Sequence, residues 1–294
     1  MLEVRDLTKS FGARLALDRV GFRVSAGRVT GFVGANGAGK TTAMRIVMGV
    51  LAPDAGTVDL DGARVTAQDR RRFGYMPEER GLYPRMTVID HIVYLARLHG
   101  LGRAAARRST EELLERLDLG SRARDRVEAL SLGNQQRAQI AAALVHDPEL
   151  LLLDEPFSGL DPLAVDAVAG LLRERVAQGA AVLFSSHQLE LVERLCDDVV
   201  IIAGGRVRAA ETTRSLRTRH ARDRYELTAA PAPAWLHDEP GVRVVSLTGG
   251  AAVFHAPDPE TAARVLREAV SRGRVTQFRA WEPALSEIVR DLAR

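Results

Sequence analysis

The sequence predicts an α/β protein with a mostly parallel main sheet, an antiparallel β subdomain, a helical subdomain and a small C-terminal α/β domain. Three observations carry this prediction. An apolar segment at 28–33 leads through a glycine-rich loop into a helical pattern at 41–50. Apolar strands alternate with helical patterns between 150 and 203, which is typical of a parallel sheet covered on both faces. New strand and helix patterns begin after about residue 213, and 294 residues suffice for one large domain with a small appendage.

The N-terminal region predicts the antiparallel subdomain. Residues 2–8 and 15–25 alternate apolar and polar side chains, as half-buried strands do. Residues 57–65 predict a β-hairpin with an Asp-Gly turn.

The region 87–145 predicts the helical subdomain. Thr87 and Ser109 are each followed three residues later by an acidic residue, so both are predicted helix N-caps. Gly100 is a predicted helix stop.

The remaining elements are short apolar strands and capped helices. Strands are predicted at 150–154, 180–185 and 198–203, with helices at 162–177 and 188–196. The C-terminal part predicts a hairpin at 242–254, a helix at 259–272, a strand at 275–280 and a helix at 284–293.

Composition excludes several classes of protein. With 46% hydrophobic and 27% charged residues, the chain is typical of globular proteins, and no apolar run is long enough to span a bilayer. The N-terminus lacks the pattern of a secretory signal. The net charge of +3 is too small to indicate a nucleic-acid partner. Cys196 is the one cysteine, and we interpret it as a buried small apolar residue rather than a reactive thiol.

The loop at residues 34–42 carries the clearest chemical signal. It matches G-x-x-x-x-G-K-[ST] between a predicted strand and a predicted helix, the context of a phosphate-binding loop in a P-loop NTPase. Backbone N–H groups of such a loop wrap phosphates, and the helix N-terminus adds partial positive charge. The residues expected to bind the nucleotide are Gly34, Ala35, Asn36, Gly37, Ala38, Gly39, Lys40, Thr41 and Thr42. Lys40 is expected on the β- and γ-phosphates, and the Thr41 hydroxyl on Mg²⁺.

Asp154 and Glu155 follow a run of four leucines at 150–153. A strand ending there delivers both carboxylates to the sheet edge where doubly wound folds bind ligands. Asp154 is expected to hold Mg²⁺, and Glu155 to act as general base or to orient the attacking water. Without the other motifs, such an acidic pair is more often a solvated turn.

A third motif lies between these two. Residues 130–137, Leu-Ser-Leu-Gly-Asn-Gln-Gln-Arg, resemble the ABC family motif that usually opens Leu-Ser-Gly-Gly-Gln. Leu132 and Asn134 depart from the commonest letters, whereas Ser131 and Gly133 fit. With the other two motifs in this order and spacing, the chain resembles the ATP-binding subunit of an ABC transporter. The resemblance implies that Ser131 and Gly133 contact the γ-phosphate of ATP held by a second subunit; an ordinary Ser N-cap is the alternative.

The resemblance implies roles for three further residues. Phe11 matches the aromatic residue that stacks on adenine, although packing within a loop is also open to it. Asp161 matches the loop that links the two nucleotide sites, and it is also a good helix N-cap. His187, past the end of a predicted strand, matches the switch histidine that contacts the γ-phosphate, with a structural role as the alternative.

Residues 74–80 depart most from the family, which usually has Gln after Pro77. Glu78 stands at that place, and we expect its carboxylate to bind Mg²⁺. A surface acid beside Arg80 is the alternative.

The resemblance implies an ATP-binding domain at 1–215, with its helical subdomain at about 84–148. It also implies an ATPase that uses ATP and Mg²⁺, forms a homodimer because each site takes a motif from the other copy, and drives a separate transmembrane permease. Such a subunit is cytoplasmic and peripheral on the inner face of the cell membrane. Residues 216–294 resemble a domain appended to some ABC-2-type exporter ATPases, which indicates an exporter.

Two other classes of protein are alternatives. One is a soluble ABC ATPase that acts on a ribosomal, nucleic-acid or assembly partner, but DNA-repair relatives insert a long coiled coil for which the spacing from Lys40 to Asp154 leaves no room. Ribosome-acting relatives usually carry two nucleotide domains per chain, whereas this sequence has one, which argues against that class. Glu155 and His187 argue against a non-enzymatic nucleotide sensor.

Overall fold

A computed structural model describes residues 1–79, 81–221 and 223–292. The chain divides into two compact units. The first holds Met1–Thr213 together with the end of the chain from Val289, and the second holds Arg214–Ile288.

The first unit contains strands β1 to β10 and helices α1 to α6. The strands are β1 Leu2–Phe11, β2 Arg14–Val24, β3 Val29–Val33, β4 Ala55–Leu60, β5 Ala63–Arg64, β6 Phe73–Met76, β7 Leu150–Leu153, β8 Ala181–Ser186, β9 Asp198–Ala203 and β10 Arg206–Thr212. The helices are α1 Lys40–Val47, α2 Val88–Leu98, α3 Arg103–Arg116, α4 Leu132–Leu144, α5 Pro162–Ala177 and α6 Leu189–Leu195.

The main sheet has the order β10-β9-β3-β8-β7-β6, and all its pairs are parallel except β10 with β9. Every residue of β3, β7 and β8 is buried, which explains why these strands are continuous apolar runs rather than alternating ones. Because β3, β8 and β7 are neighbours, their carboxyl ends meet at one edge. That edge positions the phosphate loop, Asp154 and the residues after β8.

The second sheet of this unit is antiparallel, in the order β2-β1-β4-β5. Its alternating buried side chains, among them Leu2, Val4 and Leu7, pack in one core with β3 and α1. The predicted Asp61-Gly62 turn is present, with both residues at positive φ.

The helices between β6 and β7 confirm the helical character of this region but correct one boundary. Thr87 caps α2 by accepting from Asp90 N, and Gly100 follows the end of α2 at positive φ. The prediction that Ser109 caps a helix is wrong, because α3 already begins at Arg103. Ser109 lies inside α3, and its Oγ donates to Val145 O at 2.8 Å.

The second unit is built on an antiparallel sheet in the order β12-β13-β11-β14. Its strands are β11 Arg224–Ala230, β12 Arg243–Thr248, β13 Ala251–His255 and β14 Arg274–Ala280. The C-terminal helices are α7 Thr213–His220, α8 Pro259–Arg272 and α9 Leu285–Leu292. Val265 and Ala269 of α8 share one core with Leu227 and Phe254 of the sheet. Residue 293, the predicted end of the last helix, lies outside the described residues.

The α/β fold class is therefore confirmed. Strands β6, β10 and β11 and helix α7 were not predicted, because they are short or lack a clear apolar period. Cys196 is buried, in agreement with its interpretation as a small apolar residue. Within the described ranges, every helix falls short of the length and apolar character that a bilayer crossing requires.

Candidate functional site

The loop between β3 and α1 is shaped by close backbone packing. Gly39 has φ +112°, and a Cβ there would lie 2.6 Å from Leu17 Cδ2 and 2.9 Å from Ala16 O. A Cβ at Gly34 would lie 2.4 Å from Ile202 O. Side chains are therefore excluded at both glycines, and the loop follows a path that leaves its backbone facing the sheet edge.

Lys40, the first residue of α1, is buried and directed back into this loop. Its Nζ donates to Gly34 O at 2.6 Å and to Ala35 O at 3.3 Å. The ammonium is thus held at the centre of the curled backbone, where a phosphate would lie.

Asp154 follows β7 and is 1% exposed. Both of its carboxylate oxygens accept from hydroxyls: Thr41 Oγ1 donates to Oδ2 at 2.6 Å, and Ser185 Oγ donates to Oδ1 at 2.5 Å. Two hydrogen bonds fix the orientation of the carboxylate and connect α1, β7 and β8.

Glu155 has φ +51°, a left-handed conformation that is strained for a residue with a side chain. Its backbone N donates to Ser185 Oγ at 2.9 Å. Its Oε2 lies 2.9 Å from His187 Nδ1. The Glu155 side chain is 12% exposed and that of His187 is 59% exposed, so the histidine stands on the solvent side of the carboxylate.

A cavity of about 510 Å³ opens beside these groups. The predicted site residues that line it are Phe11, Asn36, Gly37, Gly39, Lys40, Thr41, Thr42, Glu78, Asp154 and Glu155. Arg14 and Ala16 of β2 line it too, and neither was predicted. Arg14 Nη2 donates to Gly37 O at 3.3 Å, which brings a guanidinium to the rim of the loop.

Other predicted site residues lie outside this cavity lining. Gly34, Ala35 and Ala38 face a second, smaller cavity on the other side of the loop. Ser131 caps α4 by accepting from Asn134 N at 3.3 Å, and Asp161 caps α5 by accepting from Ala164 N at 2.9 Å.

Gly133, in the first turn of α4, lies close to the loop before α5. A Cβ at Gly133 would lie 3.1 Å from Gly159 O. The Ser131 motif and the Asp161 loop are therefore neighbours, while neither lines the cavity of its own chain.

Glu78 is exposed and follows β6. It faces the same cavity as Lys40 and Asp154. The alternative of an acid paired with Arg80 falls on a residue outside the described ranges.

The donor set fits Mg²⁺ bound together with a nucleotide. Thr41 contributes a hydroxyl, Asp154 a carboxylate fixed by hydrogen bonds, and Glu78 a second carboxylate on the same cavity. In the part of the chain that the structure describes, no three His, Cys, Asp or Glu side chains are grouped to hold a metal by themselves. Mg²⁺ commonly binds through one or two carboxylates, waters and substrate phosphates, so such a group is not required.

Burial and charge also act on Tyr75 of β6. Burial, and then the negative charge of Asp154, raise the pKa of this phenol above its usual value.

Three supporting residues escaped the sequence analysis. Ser185 connects Asp154 to the Glu155 backbone, while Gln136 and Gln139 of α4 contact the backbone beside Glu155 and Glu78. Gln136 lies within the motif at 130–137, but that motif does not indicate its backbone contact. Ser185 in an apolar strand and Gln139 in a helix belong to no motif that would reveal such contacts.

Comparison with known proteins identifies relatives of both parts of the chain. A family model described as "ABC transporter" matches residues 17–158. A model described as "ATP-binding protein DrrA1-3-like, C-terminal domain" matches residues 212–292.

Two relatives and one solved structure extend the match. The chain is 33% identical over 288 residues to the ABC transporter ATP-binding protein YhaQ of Bacillus subtilis, covering 98% of this chain and 97% of the relative. It is 36% identical over 265 residues to Nod factor export ATP-binding protein I of Burkholderia lata, covering 88% of this chain and 87% of the relative. A solved ATP-binding subunit of an ABC transporter, 36% identical, superposes with a TM-score of 0.70 over 75% of this chain and 93% of the other.

Proposed function

The chain belongs to the ABC transporter ATP-binding proteins, and from that premise we propose that it hydrolyses ATP with Mg²⁺ to drive an exporter. One observation carries the proposal. Lys40, Thr41, Asp154 and Glu155 come from two distant segments and line a single cavity. The similarity to a Nod factor export protein supports export as the direction of transport.

The residues of the cavity suit distinct tasks in ATP hydrolysis. The loop backbone and Lys40 would bind the β- and γ-phosphates. Phe11, which is 51% exposed and has the Lys9 ammonium 5.8 Å from its ring centroid, would stack on adenine. Thr41, Asp154 and Glu78 would hold Mg²⁺, which when bound neutralises phosphate charge. Glu155 would accept a hydrogen bond from the attacking water and orient it, while His187 holds the carboxylate in place.

We propose that the working unit is a homodimer. Ser131, Gly133 and Asp161 lie outside the cavity lining of their own chain but next to each other. Ser131 begins α4, so a helix N-terminus with its partial positive charge is available to the phosphates of a second copy. ATP would then be held between two chains, with binding favouring closure and hydrolysis favouring release.

We propose that a separate permease docks on the helical region near residues 79–99. A groove of about 520 Å³ is lined there by Tyr83, Pro84, Arg85, Met86 and Tyr94. Aromatic rings, Met and Arg are the side chains enriched at protein interfaces. The groove follows Glu78 in the chain, which provides a route from the nucleotide site to the partner. Docking would hold the subunit on the cytoplasmic face of the membrane.

We also propose that the ATP-binding domain spans 1–215, with its helical subdomain at about 84–148, and that a second domain spans 216–294. The division into compact units between Thr213 and Arg214 supports the boundary near residue 215, while the segment from Val289 belongs to the first unit.

Two measurements test the proposed function. Purified full-length chain should release phosphate from ATP in the presence of Mg²⁺, and Lys40→Ala should lose nucleotide affinity. The chain should also co-purify with a membrane protein encoded next to it. Absence of Mg²⁺-dependent turnover both alone and with that membrane protein would contradict the proposal.

A further inference from the structure

Two glutamines on α4 each hold a pair of backbone carbonyls. Gln136 Nε2 donates to Glu155 O at 2.9 Å and to Pro156 O at 3.1 Å. Gln139 Nε2 donates to Pro77 O at 2.6 Å and to Glu79 O at 3.4 Å. Both side chains are buried, and their spacing of three residues places them on one face of the helix.

Each glutamine binds the backbone at or beside an acidic residue to which the proposed function assigns a role. The Gln139 contacts lie on either side of Glu78, and the Gln136 contacts begin at Glu155. A primary amide has two N–H groups, so it is suited to binding two carbonyls at once.

The hydrogen bond from Gln136 to Glu155 O also stabilises a strained backbone conformation. At φ +51° the Glu155 backbone is strained, and it keeps this conformation only if its surroundings hold it. Ser185 accepts from its N–H and Gln136 donates to its carbonyl, so both polar backbone groups are fixed.

The amide oxygen of Gln139 is an unsatisfied hydrogen-bond acceptor in the described part of the chain. Its Oε1 is buried and has no hydrogen-bond partner among the described residues. An unsatisfied buried acceptor is unfavourable, so leucine at this position would remove that cost. It would also leave Pro77 O and Glu79 O without the hydrogen bonds that Gln139 donates, which loosens the backbone on both sides of Glu78.

The same helix begins at Ser131, one turn before Gln136. On the premise of the proposed function, we infer that Gln136 and Gln139 are positioning residues: they hold Glu155 and Glu78 in place and connect both to the helix end that meets the second copy. A shift of α4 on dimer closure would then move the backbone of both acids together.

The test of Gln139 is a double-mutant cycle in the full-length chain. Q139L and E78A are made singly and together, and the single-turnover rate of ATP hydrolysis with Mg²⁺ is measured. Q139L should slow wild type by about tenfold or more but slow E78A by less than about twofold, because residues that act through one another are not additive. Q135L is the matched control, since Gln135 Nε2 donates to Val127 O and Leu130 O, away from Glu78. Its effect should be the same in both backgrounds.

A second measurement needs neither nucleotide nor metal. Hydrogen exchange in the segment 76–79 should accelerate in Q139L and stay unchanged in Q135L. For Gln136, Q136L should keep ATP affinity within about twofold while lowering turnover at least tenfold, because the loop that binds phosphate is untouched.

The outcomes separate the two proposals. If wild type turns over ATP but the losses of Q139L and E78A are additive, or exchange at 76–79 is unchanged, the inference is wrong and the proposed function stands. If Q136L changes affinity and turnover equally, its positioning role is wrong. If wild type shows no Mg²⁺-dependent turnover in any assembly, the proposed function fails, and this inference with it.

Discussion

His187 Nδ1 and Glu155 Oε2 lie 2.9 Å apart, and this contact joins the ends of two neighbouring parallel strands. A carboxylate only accepts hydrogen bonds, so Nδ1 must carry the hydrogen. The histidine therefore has one nitrogen committed to Glu155 before any nucleotide binds.

The first prediction separates binding from chemistry. Glu155→Gln should keep ATP affinity and lower turnover by about 100-fold or more, because the amide retains the side-chain shape but loses the charge that orients water. Lys40→Ala should instead weaken ATP binding, since the Lys40 side chain is directed into the loop that we propose binds the phosphates. Affinity and phosphate release are measured for both. Near-normal hydrolysis by E155Q would remove Glu155 from its role.

The second prediction is that the nucleotide sites are composite. A Lys40→Ala chain mixed with a Ser131→Arg chain should regain part of the activity, because one site in the mixed dimer keeps both intact faces. The comparison is the mixture against each parent at equal total protein. Crosslinking across the dimer is the control for mixing. Mixed dimers with no gain would indicate sites within single chains or strict coupling of the two sites.

The third prediction concerns Glu78. Glu78→Gln should be mild because the amide still offers an oxygen to Mg²⁺, whereas Glu78→Ala should be severe. The Mg²⁺ concentration for half-maximal turnover measures the difference. Unchanged Mg²⁺ dependence in both variants would instead support an exposed acid without a ligand role.

The fourth prediction places the permease contact at Tyr83. Its ring is 54% exposed and packs edge-on against His91 at a centroid distance of 5.3 Å. Tyr83→Ala should uncouple transport from ATP hydrolysis and leave the isolated subunit folded. Co-purification with the neighbouring membrane protein and basal ATPase activity are the two measurements. Retained co-purification and transport would contradict this interface, and lost folding would favour a packing role.

The fifth prediction is a loss of stability in acid that depends on His146. Burial, then the neighbouring His99, lower the pKa of His146 from 6.5 to about 4, and the two rings stack at 3.6 Å. Between pH 6.5 and 4 the unfolded chain binds a proton that the folded chain does not, so stability falls as pH falls. From pH 7 to 5 this group should account for about 2 kcal/mol of the free energy of unfolding.

His146→Gln tests this prediction by denaturant unfolding at pH 7 and pH 5. The variant should lose less stability between the two values than wild type does. His237→Gln, at an exposed position, is the matched control and should behave as wild type. An equal acid loss in wild type and H146Q would show that other groups, including buried His91, dominate.

The features that could be predicted from the sequence are those encoded by residues close together in the chain. The phosphate loop requires closely spaced glycines before Lys40, here at 34, 37 and 39. The run of leucines before Asp154 is what a strand buried on both faces demands. Helix α5 was predicted at its observed bounds because Asp161 and Pro162 are a cap and a first-turn residue. The Ser109 prediction was wrong because the residue pattern of a cap also occurs inside a helix. There the Ser109 hydroxyl donates to Val145 O instead of accepting from a backbone N–H.

The sequence by itself determined the fold class and the family and indicated the candidate site residues, because each is encoded by local pattern and motif. Only the tertiary structure decided what holds those groups: Ser185 between Asp154 and Glu155, Gln139 across Glu78, and Arg14 beside the loop. The physical reason is that these contacts join segments far apart in the chain, mostly through backbone atoms that every residue shares. Such contacts form only when the strands and α4 pack together, so no local residue pattern indicates them.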